Sequence, residues 1–463
     1  MKLLSLNRLE SINLPVGWTR CWPFTAAAAM ALTADAVGAK PGGGDTAPPP
    51  STALYSMERI SQPGWGHDYQ VENLSGRGDA AGVTIIKSGR NTLAGQGFFW
   101  DSTTKLNSRL LPLPTTSTGA IVHNASWAGG ISDDGRIIFG ASLRSAADVV
   151  NLHQDFTPVV WINTGASSLA PLNLEPRLQD FADANLTEWG FASFAPDFGP
   201  LVSQRFTGSG EFLYLNAVTA ANYSVDVVAR LSWTDPADPP QVTGMWALGL
   251  RRTETVGGYN GDAFSIAEGT RPRPDGAARR VVSIAGYYRE FDEKGQPTTA
   301  SAAALGRIPM NWELDVDSGV ASWLALSHLD PPVDYTTGWG IDVNAVGATV
   351  GLAKAAGEDY SDTYYWTPDG NPIRPAPLPG SNDKMRLYAL NAAGTAVGNT
   401  TTGTNSNYVA VLWSAHSNTA ESLAALAGGS VSFEQAIDIN ENGQIAVLDA
   451  ASPSRWYVLT PKP

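Results

Sequence analysis

Val343-Asn344-Ala345-Val346-Gly347-Ala348-Thr349-Val350-Gly351 is the stretch whose meaning decides the fold. It recurs as Leu390-Asn391-Ala392-Ala393-Gly394-Thr395-Ala396-Val397-Gly398, and more weakly as Ile439-Asn440-Glu441-Asn442-Gly443-Gln444-Ile445-Ala446-Val447. The shared pattern is apolar, Asn, two variable residues, Gly, two variable residues, then Val, with Ala446 in the weaker copy. Asn and Gly so spaced make a tight reversal, because both tolerate positive φ and Asn hydrogen-bonds its own turn backbone. Short β-branched runs on either side make each copy a hairpin.

A second signature follows about 20 residues later: an apolar run ending in Trp, a turn, then Leu-x-x-Leu-like spacing. Its copies end at Trp100, Trp161, Trp233, Trp312, Trp366, Trp413 and Trp456. The turn glycines before these tryptophans are Gly78, Gly135, Gly210, Gly276, Gly347, Gly394 and Gly443, at intervals of 57, 75, 66, 71, 47 and 49 residues. The two shortest intervals give the basic unit, and the longer ones imply insertions. Near Gly210 and Gly276 the turn survives without its Asn.

A period of roughly 40 to 50 residues with four strand-like runs per unit is the signature of a β-propeller. In the unit beginning at Gly340 the runs are 341–344, 348–352, 362–366 and 373–378. The expected fold is all-β, one seven-bladed propeller over 53–463, with six or eight blades as the alternatives. The last unit stops at Pro463 without a fourth strand. The segment 53–60, ALYSMERI, has no partners of its own and is expected to supply that strand, closing the ring and removing an open edge.

Composition agrees with many turns and short strands: Gly 47, Pro 31, and only 16% charged residues in 463. A formal charge of -14 argues against a nucleic-acid partner, which needs clustered Lys and Arg. The one basic cluster, Arg271, Arg273, Arg279 and Arg280, is broken by Pro and Gly and is read as a solvated loop. A single cysteine, Cys21, excludes an intrachain disulfide. Residues 1–39 carry early basic residues, an Ala-rich apolar stretch and a small-x-small site at Val37-Gly38-Ala39, and are read as an export signal. Residues 40–52, KPGGGDTAPPPST, are read as a linker. No later apolar stretch reaches the length of a membrane span.

The paired signatures resemble the bacterial HAF family of extracellular repeat proteins. The match is best at Asn344/Gly347/Gly351, Asn391/Gly394/Gly398 and Asn440/Gly443, partial at Ser132/Gly135/Gly140 and Ser75/Gly78/Gly82, and faint between 175 and 335. The clear part covers about half the chain. The resemblance implies export to the periplasm or beyond the cell and a propeller-like fold. It implies no catalytic residues. The run Ile131–Phe139 also looks like a turn of TolB-type propellers, an analogy of fold alone.

The repeated Asn, Gly and Trp residues are read as structural, since a feature present in every unit does not make one site. Trp65, Trp127, Trp189 and Trp339 fall outside that pattern, in or beside the loops that lead into first strands. Such loops line a propeller's funnel, where aromatic faces suit stacking on sugars and acidic neighbours such as Asp68 and Asp342 act as acceptors. His67-Asp68 offers a general base with an orienting carboxylate. Asp315-Val316-Asp317-Ser318-Gly319 has the alternating carboxylates of a calcium loop but lacks its later ligands; no other cofactor is expected. Asp133, Asp134, Glu188, Asp262 and Glu434 are further acidic candidates, and no pair is singled out. The expected function is a monomeric, exported binding or interaction module taking a glycan or protein in the funnel. The alternative is a secreted glycoside hydrolase or polysaccharide lyase with its site there.

Overall fold

The computed structural model describes residues 53–66, 68–88, 91–114, 123–143, 156–195, 206–220, 224–234, 240–248, 259–272, 276–290, 308–325, 335–355, 362–381, 385–402, 407–451 and 455–463. Residues 1–52, where an export signal and a linker are expected, lie outside them, as do His67 and Arg273.

The described chain forms seven sheets. Strand β1 (Tyr55–Arg59) is the first described strand. Blade 1 is β2 (Asp68–Leu74), β3 (Ala80–Ser88), β4 (Asn91–Trp100) and β5 (Asn107–Leu110). Blade 2 is β6 (Ala125–Ile131), β7 (Ile137–Leu143), β8 (Phe156–Ile162) and, after the short β9 (Ser168–Leu169), β10 (Pro171–Asn173). Helix α1 (Glu175–Asn185) precedes blade 3: β11 (Phe191–Ala195), β12 (Phe212–Thr219), β13 (Ser224–Ser232) and β14 (Gln241–Ala247). Blade 4 is β15 (Tyr259–Pro272), β16 (Ala278–Glu290), β17 (Ile308–Asp315) and β18 (Val320–Ala325). Blade 5 is β19 (Tyr335–Val343), β20 (Thr349–Ala355), β21 (Asp362–Trp366) and β22 (Pro372–Ile373). Blade 6 is β23 (Arg386–Leu390), β24 (Thr395–Thr402), β25 (Asn407–Ser414) and β26 (Thr419–Ser422), followed by α2 (Leu423–Leu426). Blade 7 is β27 (Phe433–Ile439), β28 (Ile445–Asp449) and β29 (Trp456–Pro461), completed by β1.

The protein is therefore a seven-bladed β-propeller closed by its first and last described strands. β1 pairs antiparallel with β29 from Tyr55↔Pro461 to Arg59↔Tyr457. First strands pack on one another around the ring: β27 on β2, β2 on β6, β15 on β19, β19 on β23, β23 on β27. On the rim, β9 leaves its own blade and pairs in parallel with β5 of blade 1.

All seven expected turn glycines have positive φ, between 67° and 87°, including Gly210 and Gly276, whose surroundings lack the Asn. Six of these turns, all but the one at Gly276, share one bonding scheme among the described residues: the residue three before Gly takes the Gly N–H on its carbonyl, and its side chain accepts from an N–H where the next strand begins. Asn344 Oδ1 takes Ala348 N at 2.9 Å, Ser75 Oγ takes Asp79 N at 3.0 Å, and Thr207 Oγ1 takes Phe212 N at 3.1 Å. Ser and Thr thus replace Asn within the turn.

The two signatures join in one packing unit. A Cβ on Gly140 would lie 2.9 Å from the Trp161 ring, and one on Gly351 would lie 3.0 Å from the Trp366 ring. The same Cβ atoms would collide with carbonyls of the first strand, 1.9 Å from Trp127 O and 2.2 Å from Trp339 O. That carbonyl approach accompanies a feature with no signature of its own. Every first strand carries a register shift, at Val71/Asn73, Ala128/Gly130, Phe191/Ser193, Ala263/Ser265, Gly340/Asp342, Leu387/Ala389 and Ala436/Asp438. A bulge bends the strand and re-aims the side chains after it.

Three local expectations change. The fourth run of blade 5 shrinks from 373–378 to Pro372–Ile373, because Pro375 and Pro377 have no N–H for a ladder. Leu423 and Leu426, spaced by three, form a helical turn rather than a strand, and both are buried. The arginines at 271, 279 and 280 are not a solvated loop. They lie on β15 and β16 and pair with Glu313, Asp315, Glu268 and Glu211. Six of the seven repeat tryptophans are at most 4% exposed, and Trp233 is half-buried, its Nε1 donating to Gly210 O. Among the described residues no helix is long and apolar enough to cross a membrane.

Candidate functional site

A cavity of about 800 Å³ opens where the first strands end and their turns begin. Each blade gives it at least one residue: Leu74, Asp133, Ser209, Glu268, Asp342, Leu390 and Asp438, in blade order. Asn344, Asn440 and Glu441 from the turns, Thr270 from β15, Arg279 and Arg280 from β16, and Asp317 after β17 add to the polar lining.

Local sequence fixes these positions. Asp342 and Asp438 each stand two residues before a turn Asn and directly after a bulge. Asp342 is buried and ties three blades together: Oδ1 accepts from Ser265 Oγ at 2.5 Å, and Oδ2 accepts from Leu390 N at 2.7 Å. Asp438 Oδ2 accepts from Leu74 N at 2.6 Å, and its Oδ1 accepts from Ile439 N at 2.8 Å. The turn asparagines also reach outward. Asn344 Nδ2 donates to Asn391 O at 2.8 Å, and Asn440 Nδ2 donates to Ser75 O at 2.7 Å.

The cavity is electrically lopsided. Arg280 is shared by Glu211 and Glu268, and Arg279 by Glu313 and Asp315. Glu211 would rise through burial, but hydrogen bonds from Arg280 and Arg230 outweigh this and hold it below its usual value. On the other side, Asp133, Asp438 and Glu441 enter no ion pair among the described residues. Burial raises all three carboxyls, and neighbouring carboxylates add to the rise. Asp438 is pushed up to about 7 by burial, with Asp342 and Asp133 adding to it against bonds from Leu74 and Ile439. These couplings place carboxyls from blades 2, 5 and 7 within one another's field.

Of the six candidate ligand-binding residues that are described, only Asp342 lines this cavity. Trp127 and Trp339 lie in first strands, 6% and 3% exposed. Trp65 is half-buried against the blade 7–blade 1 core, with the Arg109 guanidinium 5.9 Å over its ring. Trp189 stacks on Phe191 at 6.0 Å. Asp68 spends Oδ1 on the Tyr69 N–H. The four tryptophans thus belong to separate blades, with Trp65 and Asp68 alone sharing one approach. Among the acidic candidates, Asp133 lines the cavity, Asp134 caps its own turn, Glu188 is exposed, and Glu434 is half-buried. The Asp262 side chain lies outside the described residues.

Asp315 Oδ1 accepts from Asp317 N and Ser318 N, and its other oxygen faces Arg279 at 3.5 Å, while Asp317 is exposed. Among the described residues no cluster of three His, Cys, Asp or Glu side chains is arranged to hold a metal ion.

Sequence reasoning missed Asp438, Glu441, Ser209, Glu268 and the arginines. The repeated Asp-apolar-Asn of Asp342-Val343-Asn344 and Asp438-Ile439-Asn440 was the available signal.

Another enclosed acid lies outside this cavity. Burial pushes the Glu72 carboxyl, at the bulge of β2, up to about 8, against a hydrogen bond with Trp127 of blade 2. Its Oε1 is buried with no hydrogen-bond partner among the described residues.

No family model and no curated sequence matches the chain. Solved structures similar to it are propellers or contain them. The Dos1 propeller is 10% identical over 88% of this chain and 95% of its own, with a TM-score of 0.39. TolB from Acinetobacter baumannii is 11% identical over 82% and 80%, with a TM-score of 0.30. An oligogalacturonate lyase from Vibrio parahaemolyticus is 12% identical over 78% and 96%, also at 0.30. At these scores the likenesses carry nothing about activity, and the chain stands as a seven-bladed β-propeller on its own sheets.

Proposed function

We propose that this protein is a binding module that takes its ligand at the turn-side mouth of the propeller. The supporting observation is the cavity to which all seven blades contribute and whose Asp133, Asp438 and Glu441 have no cationic partner among the described residues. A polar ligand rich in hydroxyl or amine donors suits such a lining, with Arg279 and Arg280 offering donors on the opposite side. A glycan or a protein segment has that chemistry. The HAF-type resemblance and the export-like leader support a periplasmic or extracellular setting, and the domain plan of 1–39, 40–52 and 53–463 belongs to the same reading.

A second reading has one observation behind it. Burial pushes Asp438 up to about 7, where a carboxyl both gives and takes a proton near neutrality, as the acid of a glycosidase or lyase would. Against it, both Asp342 oxygens already bond to Ser265 and Leu390.

A glycan array run beside a polysaccharide-degradation screen, with and without calcium, separates the two. Binding without product supports the module. Product that disappears in Asp438→Asn supports the enzyme. Retained binding in Asp133→Asn/Glu441→Gln would remove this cavity from either account.

A further inference from the structure

Blade 7 is where the first and last described strands meet, and side chains at the end of its first strand and in the turn after it hold it to blade 1. Asp438 Oδ2 takes the Leu74 N–H, Asn440 Nδ2 donates to Ser75 O, and Asn442 Nδ2 donates to Gly76 O at 2.6 Å. Only the first of these bonds depends on an ionisable group.

The groups around Asp438 are almost all of its own sign. Asp342 of β19 and Asp133 of the β6–β7 turn face it, and Glu441 follows in its own turn. Across the cavity stand Glu268, Asp317, Arg279 and Arg280, with both arginines engaged by carboxylates. Strands β24 and β25, packed on β27, carry no charged residue. Of the other packed strands, β2 has Asp68 and Glu72, β23 has Arg386 and β28 has Asp449; Asp68 and Arg386 stand at the far ends of their strands.

We propose that Asp438 makes the blade 7–blade 1 seam a proton-dependent clasp. Protonated, it takes the Leu74 N–H without placing charge in the mouth. Ionised, it accepts that N–H more strongly, but it sets a buried charge beside Asp342 and Asp133 with no cation paired to it among the described residues; desolvation and repulsion outweigh the stronger bond, and the seam loosens. Its pKa is raised in the closed ring to about 7 from 3.8, so the closed form binds the proton more tightly than the opened form. Closure is therefore strongest below the ordinary carboxylate range and is lost progressively as pH rises towards about 7.

The test is hydrogen exchange on the full chain between pH 5 and 8, corrected for intrinsic exchange rates. A peptide spanning 70–80 reports the seam, and one spanning 395–402 is the reference. Protection of the seam peptide should fall by about tenfold or more over this range, relative to the reference. Glu72→Gln should leave most of the fall in place, and adding Asp438→Asn to that variant should abolish it. A flat wild-type profile overturns the clasp, as does a fall that vanishes in Glu72→Gln or persists in the double variant. Should Asp438→Asn fail to fold, Asp133→Asn at the exposed rim serves instead. It should move the midpoint to lower pH, and an unmoved midpoint overturns the proposal.

Discussion

Asn440 Nδ2 lies 2.7 Å from Ser75 O, so an amide in the last turn of the propeller is bonded to the first turn. Its Oδ1 meanwhile accepts from Gln444 N at 2.9 Å, bracing its own turn. An Asn does both jobs, whereas the Ser and Thr of blades 1 to 3 accept within the turn and have no amide to send across. Asn440→Ser should keep the turn and lose the staple, costing about 1–2 kcal/mol in denaturant unfolding. An unchanged midpoint would mean that the amide contributes nothing across the seam.

The Gly of the Val-Gly pair is a steric requirement. A Cβ on Gly351 would lie 2.2 Å from Trp339 O, and one on Gly398 would lie 1.8 Å from Arg386 O. Gly351→Ala should destabilise by about 1–3 kcal/mol, the usual cost of forcing atoms into a filled space. Val447 holds the same repeat position in blade 7, so Val447→Gly should bring no gain in melting temperature.

The closing strand is a further point of leverage. Removing residues 53–60 strips five ladder pairs from β29 and bares its edge. Lower thermal stability and self-association by size-exclusion chromatography are expected. A monomer with the wild-type melting temperature would show that closure by β1 is dispensable.

Glu72 gives a pH prediction with a defined sign. Its pKa is raised in the fold from 4.5 to about 8, so the unfolded chain releases this proton first as pH rises. The group's contribution is favourable below about 4.5 and is lost as pH climbs towards about 8. Glu72→Gln should therefore melt higher than wild type at pH 8 and close to it at pH 4. A melting difference that does not depend on pH would contradict the assignment.

Much of the architecture was legible because it rests on residue-specific constraints. Positive φ calls for Gly, which exposed Gly210 and Gly276 even without Asn. The missing outer strand of the last unit pointed to Tyr55–Arg59. The bulges were not legible, because the event lies in the first-strand backbone while its mark, Gly140 or Gly351, lies on the second strand. The site was legible only at Asp342 and Asp133. Aromatic residues outside the repeat drew attention to Trp127 and Trp339, yet both are in the core. Turn residues that look structural, Asn344 and Asn440, line the cavity because the turns are its rim.

The most direct test of ligand capture at the turn side is differential hydrogen exchange on the full chain, with and without a glycan or peptide retained in the screen. Added protection is expected in segments 133–134, 344–346 and 440–442. Protection confined to the approach around Trp65 and Asp68, with the turn segments unchanged, would contradict it and place the ligand at the opposite end of the first strands.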